Sequence, residues 1–176
     1  MRIPDVDPAL DTVGPSAEST KQHAAPSSTR AQGLALGSAA FARTEGIAYG
    51  NGSVDFCCTT GGPAKLGQVF RLDPRRERLS LGVDPDDHAL PDGPDNIVIA
   101  PFGDLVVREG DLGQRENFGV GVTSSGRCYR LARNAHPAKR EFAGACFSPD
   151  GRTMFVNVQR PGMTFAVWGP WDRRLT

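Results

Sequence analysis

The sequence predicts an all-β fold, a partial β-propeller of about three blades behind a disordered N-terminal tail, and two observations predict it. First, three stretches recur at a spacing of about fifty residues: Glu45 to Phe56, Asp95 to Val107 and Gly144 to Val156. Each is a short apolar strand, a tight glycine turn and a second apolar strand. Ile47, Ile97 and Cys146 mark the recurrence. Second, the 176 residues contain 21 Gly and 14 Pro, which suits many turns and short strands rather than long helices. Repeats of short strands at this period read as propeller blades.

The elements follow in order. Residues 1 to about 33 are rich in Pro, Ala, Ser, Thr and Gly and carry little periodicity, so they read as a disordered or loosely attached tail. Leu34-Ala-Leu-Gly37 reads as a brief strand or turn that opens the propeller segment, 34–176. In the first blade, strands are expected at Glu45–Tyr49, Val54–Thr60, Gln68–Leu72 and Leu79–Val83. Gly50-Asn51-Gly52 is its hairpin turn, because Asn-Gly tolerates positive φ. The second blade repeats the plan at Asn96–Ala100, Leu105–Glu109, Phe118–Thr123 and Arg127–Arg133, with Pro101-Phe102-Gly103 as its first turn. The third starts near Ala143, turns at Ser148-Pro-Asp-Gly151, and continues through Thr153–Gln159 and Thr164–Trp168. A closed propeller needs at least about four blades, and an open arc leaves strand edges bare. The chain is therefore expected to be part of a larger propeller, completed by another copy of the chain, by another chain, or by the missing part of a truncated product.

Composition narrows the partners. Twenty basic and twenty acidic residues give a formal net charge of zero, so no basic stripe marks a nucleic-acid surface. No apolar run approaches the length of a membrane span. The start, Met1-Arg-Ile-Pro-Asp-Val-Asp-Pro8, is acidic and lacks the apolar core of an export signal. Cys57, Cys58, Cys128 and Cys146 show no CxxC spacing, which argues against zinc, and read as small buried apolar side chains. Cys57 and Cys58, adjacent in a strand, are expected on opposite faces. His23, His88 and His136 have no paired spacing and read as solvated. Ser148 reads as a turn former rather than a nucleophile, and Arg75, Arg76 and Arg78 as a solvated basic turn.

Antiparallel alternation puts the entry to each blade's first strand and the exit of its second on one face. Glu45 opens the first strand of blade one, Asp95 and Asn96 that of blade two, and Glu141 precedes that of blade three. Thr59, Thr60, Arg108, Glu109, Asn157 and Gln159 end the second strands. Carboxylates gathered there repel unless their pKa values rise or a cation binds, and hard cations favour carboxylate and amide oxygens. The alternative is that each acid is solvated or caps a nearby backbone N–H.

Several segments resemble the C-terminal part of the PhoX-type alkaline phosphatases. They are Arg43-Thr-Glu-Gly-Ile-Ala-Tyr49, Cys58-Thr-Thr-Gly-Gly62, Gly93-Pro-Asp-Asn-Ile97, the run Glu141 to Gln159, and Pro161 to Trp171. The resemblance covers roughly Leu34 to Trp171, and Glu141 to Trp171 is its most specific piece. It implies a six-bladed propeller, hydrolysis of phosphate monoesters, a cluster of Ca2+ and Fe3+ at the channel mouth, and export by the twin-arginine route. By motif it implies Glu45, Glu109 and Glu141 as metal ligands, with Asp95 and Asn96 lining the same site and Arg108 as the phosphate clamp. Three departures stand out: Arg-Thr-Glu-Gly at 43–46 for the family's Arg-Pro-Glu-Gly or Arg-Cys-Glu-Gly, Arg-Glu-Gly-Asp at 108–111 for its Cys-Glu-Asp-Gly, and, against the resemblance, a missing N-terminal half that in the family supplies the export signal, the remaining blades and a cysteine iron ligand. Two other readings stay open: a gluconolactonase-like propeller lactonase with one calcium held by Glu45, Asn96 and Asn157, and a non-catalytic propeller fragment.

Overall fold

The computed structural model describes residues 28–86, 91–109, 117–135 and 141–171. Within them one short helix leads into eleven strands arranged as three successive antiparallel sheets. The first sheet is β1 (Thr44–Gly50), β2 (Ser53–Cys58), β3 (Gln68–Asp73) and β4 (Arg78–Val83). The second is β5 (Pro94–Ile99), β6 (Leu105–Glu109), β7 (Phe118–Val122) and β8 (Cys128–Arg133). The third is β9 (Phe142–Phe147), β10 (Thr153–Val158) and β11 (Met163–Trp168). In every sheet consecutive strands are hydrogen-bonded neighbours. The first strands pack side by side, β1 on β5 and β5 on β9. Three meanders joined through their first strands are the arc of a propeller.

The strands expected from alternation are all present, with ends that differ by at most two residues. The hairpin turns explain their registers. Asn51 and Gly52 both take positive φ, 52° and 78°, as a two-residue turn between right-twisted strands requires. Gly103 and Gly151 close the corresponding turns of the next two sheets, at φ 93° and 69°. The Asn51 amide also donates to the Gly103 carbonyl at 3.3 Å, which links the first two hairpins.

One element departs from expectation. Residues Thr29–Ala35 form helix α1, where the sequence suggested a loose tail running into a brief strand or turn. Ser28 caps it by accepting from the Ala31 N–H at 3.3 Å, and Gly37 leaves it at φ 82°. No residue of the helix is buried, so it has no apolar stripe by which periodicity would reveal it. Residues 1–27, the rest of the expected tail, lie outside the described residues.

Two cores fill the spaces between blades. Cys57, Val69, Ile97, Leu105, Val107 and Val120 pack between the first and second sheets. Phe142, Met154, Val156, Val158 and Trp171 form the second core, against Leu131 and Ala132 of β8. Cys58 joins Phe70 and Leu79 in a third cluster, on the other face of the first sheet from Cys57. Phe41 covers part of that cluster, edge-on to Phe56 and Phe70. Adjacent strand residues thus face opposite ways, as pleating dictates. All four cysteines are free. Cys146 corrects the expectation of buried thiols. It pairs with Phe155 on the face of the third sheet turned away from the second core, and it is exposed.

The fit of the first two blades depends on Gly46. A Cβ there would stand 2.7 Å from the Asn96 Cα and 2.8 Å from the Ile97 nitrogen. Backbone cannot swing aside as a side chain can, so Gly46→Ala must push β1 off β5. We expect a loss of about 1–3 kcal/mol, the usual cost of overpacking. Gly144→Ala is the control, because its Cβ would meet nothing nearer than the Asn157 amide at 3.7 Å. Thermal denaturation of both variants checks this, and equal midpoints would contradict it.

Candidate functional site

Strand pairing collects the candidate residues at one edge of the sheets. Thr44 pairs with Cys58, Pro94 with Glu109 and Phe142 with Val158, so each first strand begins where its partner ends. Glu45, Asp95, Asn96, Arg108, Glu109 and Glu141 all lie along this rim by backbone position. Their side chains have different fates.

Arg108 is the most unusual. It lies in β6 between Val107 and Glu109 and is only 1% exposed. By alternation it leaves the sheet on the face opposite Leu105 and Val107, which belong to the first core. Its Nη2 donates to the Asn96 Oδ1 directly across the β5–β6 register. Its Nε and Nη1 have no hydrogen-bond partner among the described residues. Burial lowers the guanidinium pKa to about 10, partly offset by the nearby Cys57, Asp95 and Cys146 side chains. It stays cationic at neutral pH. Within electrostatic reach of it, burial drives the Cys57 thiol up to about 12, with Cys58 and Asp95 adding to the rise. This thiol remains protonated and is no nucleophile.

Glu109 shares the core face with Val107. Its Oε1 accepts from the Asp92 N–H at 3.1 Å and its Oε2 from the Phe118 N–H at 3.0 Å. Burial pushes its pKa to about 7, against the pull of those two donors. Glu45 is exposed and lies 3.8 Å from the Arg43 guanidinium. Asp95 and Asn96 are half-buried, as is Glu141, whose carbonyl accepts from the Gln159 N–H at 3.3 Å.

Sequence reasoning missed Asn117. Its amide donates to the Glu109 carbonyl at 2.8 Å and accepts from the Phe142 N–H at 2.7 Å. It therefore ties the end of β6 to the start of β9. An asparagine between a loop and a strand signals a turn, and nothing local announces a partner 25 residues away.

The donor set does not by itself fit a cluster of calcium and iron. Among the described residues, no three His, Cys, Asp or Glu side chains gather where a metal ion would sit. Both Glu109 oxygens are held by backbone N–H groups, and the Asn96 oxygen is held by Arg108. The single-calcium set fares no better: the Asn157 Oδ1 accepts from the Thr164 hydroxyl at 2.8 Å. His23, His88 and His136 lie outside the described residues. Arg76 pairs with Asp73 at 2.6 Å in an exposed turn, and the Ser148 hydroxyl donates to Asp150 within its own turn at 2.5 Å.

Comparison with known proteins gives a family and a fold neighbour. The family model described as alkaline phosphatase PhoX matches residues 5–162. No curated protein sequence is significantly similar to the chain. A solved structure described as a streptogramin B lyase is similar at a TM-score of 0.46 and 13% identity, over 74% of this chain and 42% of that one. The chain therefore spans less than half the length of that protein.

The buried Glu109 gives a pH signature. Its ordinary pKa of 4.5 applies in the unfolded chain, and about 7 in the folded one. Between these values the unfolded chain ionises while the folded chain holds its proton. Stability from this group is thus complete below pH 4.5 and falls as pH rises to about 7. Glu109→Gln cannot ionise, and it loses one acceptor at every pH. The thermal midpoint of the variant should gain on wild type between pH 4.5 and 7 and run at a constant offset outside that window. A pH-independent difference would contradict the assignment.

Proposed function

The chain belongs to the alkaline phosphatase PhoX family, and on that premise we propose that its rim carries part of a site for hydrolysis of phosphate monoesters. The observation that supports this most is Arg108. A buried cation with two nitrogens unpaired is costly, because the desolvation of its N–H groups is not repaid by hydrogen bonds. A phosphate oxyanion repays it. The guanidinium supplies several donors in one plane, and phosphate supplies acceptor oxygens around one centre.

The role is charge binding rather than proton transfer, since Arg108 keeps its proton at neutral pH. In phosphoryl transfer, negative charge spreads over the equatorial oxygens of the transferred group. A cation held in a dry site acts on that charge far more strongly than one in water, and it needs no reorganisation at the moment of reaction. The family resemblance would give Glu45, Asp95, Asn96, Glu109 and Glu141 to a calcium and iron centre along the rim, but with the Glu109 and Asn96 oxygens already held these residues do not fit one as they stand. The described residues alone do not complete such a centre, and the part assigned to Arg108 does not depend on one.

Arg108→Met tests this, because it keeps the length of the side chain and removes the charge. Replacing a poorly partnered buried cation with an apolar group is neutral or stabilising. Without phosphate, the variant should therefore melt at or above the wild-type temperature. Inorganic phosphate should raise the wild-type midpoint and leave the variant unmoved. Turnover of p-nitrophenyl phosphate, assayed with calcium and iron supplied, should fall by about a hundredfold in the variant. A variant that is strongly destabilised yet responds to phosphate like wild type would overturn the role of Arg108.

A further inference from the structure

We infer that Asn96 is a positioning residue for Arg108, an inference that rests on reading Arg108 as the phosphate-binding group. Asn96 and Arg108 stand directly opposite each other across β5 and β6. The amide oxygen takes the Arg108 Nη2, and among the described residues it is the sole hydrogen-bond acceptor of this guanidinium. The remaining donors, Nε and Nη1, stay available to an oxyanion.

The chemistry of the acceptor matters as much as its place. Arginine has a long, flexible side chain, and fixing it before the ligand arrives removes an entropic cost from binding. A carboxylate in the same position would also fix it, but would neutralise the charge and compete with the incoming anion. An amide holds the guanidinium and leaves its full charge unspent. The neighbouring charges agree with this. Asp95 lies close enough to favour the cation electrostatically, yet no ion pair joins it to Arg108. Elsewhere in the fold a structural arginine is treated differently: Arg71 is paired with the buried Asp55 carboxylate at 2.7 Å. The rim thus holds one arginine with a neutral acceptor, and the middle strands of the first blade hold one with a neutralising acid. The Asn96 oxygen also becomes an orienting group toward Arg108 rather than a free oxygen donor.

The test is a calorimetric titration of inorganic phosphate into the full chain as wild type, Arg108→Met, Asn96→Ala and Asn96→Asp, with thermal midpoints for each. Asn96→Asp is the decisive variant, because it keeps the size and the acceptor and adds only charge. A merely structural bond would survive that change, with phosphate binding intact. The positioning role instead makes stability and binding move in opposite directions. The Asp variant should melt at or above wild type, since it gives the buried arginine a counterion, while phosphate affinity drops by about a hundredfold or more. Asn96→Ala should weaken affinity by about tenfold. Should Asn96→Ala fail to fold, the Asp variant settles the matter alone. Wild-type affinity in Asn96→Asp, with binding lost in Arg108→Met, overturns the role of Asn96 and leaves the phosphate site standing. Wild type that does not bind phosphate, or Arg108→Met that binds it equally well, overturns both.

Discussion

Everything at the rim depends on how closely β1 lies against β5. Gly46 is the third residue of its strand and packs against Asn96, the third residue of the next. The absent side chain lets backbone meet backbone, and that contact sets the two strand starts level. Once they are level, Glu45 stands beside Asp95 and Asn96, and antiparallel pairing delivers Arg108 and Glu109 to the same edge. Asn117 extends the alignment to the third blade through its bond to the Phe142 N–H. The rim is therefore a product of strand registry and not of any long-range attraction between charged groups.

Among the polar side chains that enter this dry edge, Asn117, Glu109 and Arg108 each meet burial differently. Asn117 is satisfied on both sides of its amide by backbone groups of two blades. Glu109 has two backbone donors, yet its pKa still rises, so desolvation outweighs two neutral hydrogen bonds there. Arg108 has a single neutral acceptor for a full charge. That imbalance singles it out. Buried arginines are normally paired with acids, and even the partly exposed Arg71 is paired with Asp55. An arginine left short of acceptors beside a strand edge has the electrostatics of a site awaiting an anion.

Much of the fold was legible in the sequence because its signals are local. Asn51-Gly52, Gly103 and Gly151 demand turns at the spacing of the repeat, and alternation around Ile47, Ile97 and Met154 does the rest. The opposite faces of Cys57 and Cys58 also follow from pleating alone. Helix α1 was not legible, since a short exposed helix carries no periodicity and depends on a serine cap. The site was legible in position and less so in orientation. Glu109 shares parity with Leu105 and Val107, so its inward turn was implicit in the pattern. Its two backbone partners, Asp92 and Phe118, come from other segments. The exposure of Cys146 likewise depends on which face of the third sheet meets a neighbour, and that is a tertiary fact.

The central claim is that the guanidinium of Arg108, held by Asn96, binds a tetrahedral oxyanion at the rim. A crystal structure of the chain soaked in tungstate, located by anomalous scattering, tests it most directly. The expected result is one strong site with oxygens within hydrogen-bond reach of the Arg108 Nε and Nη1, while Nη2 stays on the Asn96 oxygen. Tungstate bound only at exposed arginines such as Arg76, with Arg108 still lacking an anion, would contradict it.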